Sequence, residues 1–80
     1  MGSIEQKEVL MLLAKKEIEG GIISITNLQT NNIKIFDIEE MQEICDIIRQ
    51  SKNFKLIFIN GNKTKITFCD NNCNRMLLEM

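Results

Sequence analysis

Asn60-Gly61-Asn62 stands between two runs rich in β-branched and aromatic residues, 54–59 and 63–69. Asn and Gly accept the positive φ that a tight hairpin turn demands, and Ile, Phe and Thr fit a pleated surface, so this stretch is expected to be a β-hairpin. A hairpin alone is marginal in water and must be buried against something. The rest of the chain is therefore read for what can cover it.

Residues 3–19 are good helix formers, with Ser3 placed as an N-cap and Gly20-Gly21 placed to end the helix. Its apolar positions Ile4, Val9, Leu10, Met11, Leu12, Leu13, Ala14 and Ile18 exceed one face, because six consecutive apolar residues sweep the whole circumference. A second covering layer or a partner is expected on the far side. Residues 22–28 and 33–36 are β-rich around the polar Gln29-Thr30-Asn31-Asn32 and read as another hairpin. Asp37 then caps a second helix to about Ser51, whose Ile38, Met41, Ile44, Cys45, Ile47 and Ile48 recur at three and four to make one broad stripe. Asp70 or Asn71 is placed to cap a short last helix through Glu79, with Met76, Leu77 and Met80 as its apolar side.

The expected fold class is α+β, in the order α-β-β-α-β-β-α, an antiparallel sheet with helices on one face. Eighty residues make one domain, 1–80. The two α-β-β stretches suggest pseudo-repeats. Ile23, Leu28, Asn31 and Ile33 also match Phe54, Ile59, Asn62 and Thr64 at a constant offset of 31. That pattern resembles the strand-plus-asparagine part of a leucine-rich repeat, but two copies fall short of the three a solenoid needs.

The chemistry available is narrow. Histidine is absent, which excludes Ser-His, Cys-His and histidine acid–base catalysis. The four glycines, Gly2, Gly20, Gly21 and Gly61, form no phosphate-cradling loop. Cys69 and Cys73, with Asp70 or Cys45, make at most a weak zinc pattern, and buried or free thiols are the favoured reading. Glu39, Glu43 and Asp46 share one side of the second helix and read as a solvated face rather than a cation or acid–base site. No catalytic residue, metal or cofactor is expected, and the chain is read as a non-enzyme.

Ten Lys/Arg against eleven Asp/Glu leave a net charge of −1, so no global field draws the chain to nucleic acid or membrane. The longest apolar run is six residues, 9–14, and no bilayer span is expected. Three cysteines and no signal peptide point to reduced thiols in the cytoplasm. Fourteen Ile and nine Asn with two Arg suggest AT-rich coding, as in a low-GC bacterium, its phages or plasmids.

Two functional expectations follow. The first is a small protein-interaction module, a regulator or inhibitor of the kind mobile elements encode, acting as a homodimer and docking a protein partner through Met11, Leu12, Met76 and Leu77. The second is a nucleic-acid binder: Lys52, Lys55, Lys63 and Lys65, with Arg49, surround the second hairpin, and a helix followed by such a hairpin resembles the end of a winged helix. Asp37, Glu39, Glu40, Glu43 and Asp46 on the would-be recognition helix oppose phosphate, so the lysines are read first as protection of an edge strand.

Overall fold

The computed structural model describes residues 6–61 and 63–80. Helix α1, Gln6–Glu19, stops where Gly20 adopts φ 80 and donates its N–H to the Lys16 carbonyl at 2.8 Å. The Ser3 cap lies outside the described residues. The first hairpin follows, β1 Ile23–Asn27 and β2 Ile33–Phe36. Its turn is tied by the Asn27 carboxamide oxygen, which accepts from the N–H groups of Gln29 and Thr30, and by Asn31 at φ 63. A 3-10 turn, Ile38–Glu40, leads into α2, Met41–Arg49. At its start the Glu40 carboxylate accepts from the Asp37 N–H at 3.3 Å.

The last carbonyls of α2 would be left without intrahelical donors. Gln6 of α1 supplies one: its carboxamide nitrogen donates to Ile48 O at 2.9 Å and Arg49 O at 2.7 Å. This bond set links the two helices at one end. Strand β3, Lys52–Asn60, and β4, Lys63–Cys69, form the hairpin expected from Asn60-Gly61-Asn62, with Gly61 at φ 61.

The expected last helix is a strand, β5, Arg75–Glu79. Asp70 does cap, but it caps a turn: its carboxylate accepts from the N–H groups of Asn72 and Asn74 at 2.9 and 2.8 Å. Asp70 N–H and the Asn74 carbonyl close the turn at 3.0 Å, and Cys73 reverses the chain at φ 64. The same residue preference for local side-chain to backbone bonding serves a helix N-cap or a tight turn, and here the sheet decides between them.

All five strands are antiparallel neighbours in the order β2-β1-β5-β4-β3, so the last strand fills the centre between the two hairpins. The class is α+β with a five-stranded antiparallel sheet, and the order is α-β-β-α-β-β-β. The offset of 31 aligns two hairpins, not two turns of a solenoid. The hairpins also differ in placement: β1 leads its hairpin and lies inside, whereas β3 leads its hairpin and lies at the edge.

Strand alternation sends Ile23, Ile25, Phe36, Phe54, Ile66, Phe68 and Leu78 to one face, where they are buried in one cluster with Val9 and Leu13 of α1 and Met41, Ile44 and Ile48 of α2. Both helices therefore cover the same face. Phe54 and Phe68 stack with ring centres 5.8 Å apart. With no third helix above it among the described residues, α1 keeps its outer side in solvent: Met11 is 66% exposed and Ile18 87%. No helix among the described residues is long and apolar enough to cross a membrane.

Candidate binding face

The other face of the sheet has no covering layer among the described residues, and cross-strand register specifies what it carries. One row runs Ile35, Ser24, Glu79, Lys65, Phe58 from β2 to β3. The next runs Ile33, Thr26, Leu77, Thr67, Lys55. A shorter third row joins Arg75, Cys69 and Lys52, and Lys63 stands opposite Asn60 at the far end of the β3–β4 pair. Residues two apart on a strand share a face, so these rows belong to one surface.

Five of the chain's ten cationic residues lie there, namely Lys52, Lys55, Lys63, Lys65 and Arg75, against the single carboxylate of Glu79. Glu79 and Lys65 pair at 3.5 Å, both partly exposed. Apart from Asp70 in the β4–β5 turn, the other described acidic residues lie on α1, on α2 or in the segment 37–40 that leads into α2. Glu43 takes the Lys34 ammonium at 2.7 Å, and that hydrogen bond raises the lysine's pKa against a smaller opposing effect of desolvation. Asp46 pairs with Arg49 at 3.2 Å and accepts from Gln42. A protein of net charge −1 is thus divided into a cationic sheet face and an acidic helical layer.

The face is also divided along its width. Its β2–β1–β5 half carries Ile33, Ile35 and Leu77 among the hydroxyls of Ser24 and Thr26, with Ile33 and Ile35 63% and 64% exposed. Its β4–β3 half carries four lysines and Phe58, which is 46% exposed.

The docking set expected from sequence is not one site. Met11 lies on the outer side of α1, Leu12 packs partly on the core, and Met76 packs against the core beneath the sheet, while Leu77 points to the open face. Met76 also lines a 310 Å³ groove between α2 and the sheet, floored by Ile25 and Phe36 and rimmed by Gln50 and Asn71. Those two amides bond each other at 3.2 Å.

Of the cationic set, Lys52, Lys55, Lys63 and Lys65 do gather, and Arg49 does not, since it sits at the end of α2 on the other layer. The hairpin that carries the lysines is not a projecting wing but two integral strands of the sheet. β3 is an edge strand, as the protective reading of its lysines supposes. Sequence reading missed Arg75, Phe58, Ile33 and Ile35. The signal for Arg75 was present as a period of two, with Met76, Leu78 and Met80 on one side and Arg75, Leu77 and Glu79 on the other.

Among the described residues no group of three or more Cys, Asp or Glu converges in a metal-holding arrangement. Cys69 lies on the open face, Cys73 is exposed in the turn, and Cys45 is half-buried on α2, where desolvation raises its thiol pKa. Both Asp70 oxygens are engaged within their own turn. Partial desolvation pulls the Asp70 pKa upward, but the hydrogen bonds from Asn74 and Asn72 outweigh it and leave the pKa below the ordinary carboxylate value.

No protein-family model, curated protein or solved structure matches the chain.

Proposed function

We propose that this chain is a non-enzymatic protein-interaction module that docks an acidic protein partner on the open face of its sheet, and regulates or inhibits that partner by occupying its surface. The observation that carries this reading is the composition of that face, five cations with exposed Phe58 and half-buried Leu77 against one carboxylate. Apolar anchors within a charged surround are the usual makings of a protein interface, and the charge selects a partner of opposite sign. Two like-charged faces repel, so the cationic half is suited to a different molecule rather than to a second copy.

A photo-crosslinking residue at Thr67, in the middle of the face, is expected to trap a protein partner in cells, whereas the same residue at Met11 is not. Reversing Lys55 and Lys65 to Glu should remove the adduct. Adducts from Met11 that survive this reversal would move the interface back to α1.

One observation favours a second reading, nucleic acid. The acidic residues of α2 that oppose phosphate lie on the layer away from the four lysines, Arg75 and Phe58, which leaves a basic face with one aromatic ring available for stacking. Nuclease-sensitive adducts at Thr67, with affinity falling steeply as salt rises, would establish this reading in place of the first.

A further inference from the structure

The two edges of the sheet are treated differently. β3 carries Lys52 and Lys55, and its pairing with β4 is interrupted twice, between Lys52 and Lys55 and between Leu56 and Phe58. Bulges and lysines are the ordinary means by which an edge strand is kept from pairing with another chain. β2 has no bulge and no lysine on the open face: its register with β1 is unbroken from Ile33 to Phe36, and its open-face residues are Ile33 and Ile35. Its one charged side chain, Lys34, is on the helical side, held by Glu43 at 2.7 Å and lying 4.9 Å from the Phe36 ring centre.

The phase of the ladder specifies which backbone groups are free. Asn27 donates its N–H to the Asn32 carbonyl at 2.8 Å, and bonded and non-bonded pairs alternate along an antiparallel pair. Asn32, Lys34 and Phe36 therefore turn their main-chain groups toward β1. Ile33 and Ile35 turn theirs outward.

We infer that β2 pairs with β2 of a second copy, antiparallel about a two-fold axis through Lys34. In that register Ile33 of one copy faces Ile35 of the other, twice, and each facing pair exchanges two main-chain hydrogen bonds, the requirement of the alternation just described. Their four side chains meet on the open face as one apolar cluster. The two Lys34 residues face each other on the helical side, a like-charge arrangement that is ordinarily unfavourable, but each ammonium is drawn back to its own Glu43. The lysines of β4 and β3 lie three and four strand spacings from β2, roughly 14 and 19 Å. That exceeds the screening length of about 8 Å at physiological ionic strength, so the cationic halves do not oppose the pairing. The product is a ten-stranded sheet with an apolar centre and a cationic region toward each end. Dimerisation sits at the β2 edge, away from α1, and is independent of what docks on the lysines.

The test is molar mass by light scattering over a range of concentrations in reducing buffer, for the full chain and three variants. Wild type is expected at twice the chain mass. Ile35→Pro removes one outward N–H while leaving the bonds to β1, and is expected to be a monomer with unchanged far-UV circular dichroism. Ile35→Lys keeps the backbone and brings charge to the axis, and is expected to weaken the dimer by about tenfold or more, which serves if the proline variant fails to fold. Met11→Lys should leave the dimer intact. A wild-type chain that is monomeric throughout overturns the inference, as does a dimer that survives both Ile35 substitutions.

Discussion

Cys73 holds the β4–β5 turn at φ 64, a region that costs a residue with a Cβ about 1 kcal/mol. Glycine removes that cost at the expense of a more flexible unfolded chain. Cys73→Gly is thus expected to raise the midpoint of urea unfolding slightly, and Cys73→Val, β-branched at the same position, to lower it through a loss of about 1–2 kcal/mol in unfolding free energy. Asp70 beside it has a pKa below the ordinary value. Its stabilising contribution is therefore present above the unfolded-state pKa of about 3.9 and is lost as pH falls through the lower folded value. Asp70→Ala should cost about 1 kcal/mol at neutral pH through the lost turn bonds. In acid the gap between variant and wild type should shrink, which urea titrations at several pH values measure.

The last element is a strand where the sequence reading expected a helix. A helix capped at Asp70 or Asn71 buries Met76, Leu77 and Met80, whereas β5 buries Leu78 and Met80 with Met76 partly covered and turns Leu77 outward. Leu78→Ala is expected to cost about 2–5 kcal/mol, the usual range for a buried leucine, and Leu77→Ala about 1 kcal/mol or less. Equal effects in chemical denaturation would contradict the central strand. The helices meet at Gln6, whose single carboxamide bonds two terminal carbonyls of α2. Gln6→Ala should cost about 1 kcal/mol and speed amide exchange in the last turn of α2 before elsewhere.

At the scale of the molecule, the separation of charge between layers matters more than the net value of −1. The chain is expected to bind a cation-exchange resin at low ionic strength through its sheet face, and Lys55→Glu with Lys65→Glu should abolish retention. Equal retention of wild type and this variant would show that the lysines do not act as one surface. Both hairpins, both observed helices and the apolar stripe of α2 were legible in sequence, because turn residues and periods of two and 3.6 are local properties. The conversion of the last segment to a central strand was not legible, since Asp70 and its asparagines satisfy a cap and a turn equally and the gap between β1 and β4 exists only after both hairpins form. From that one decision follow the exposure of Met11, the sorting of Met76 from Leu77, and the meeting of Arg75 with the lysines. Local sequence determined the elements and which residues each could bury; the sheet order, which depends on contacts far apart in the chain, decided which charges share a face and which edge lies open.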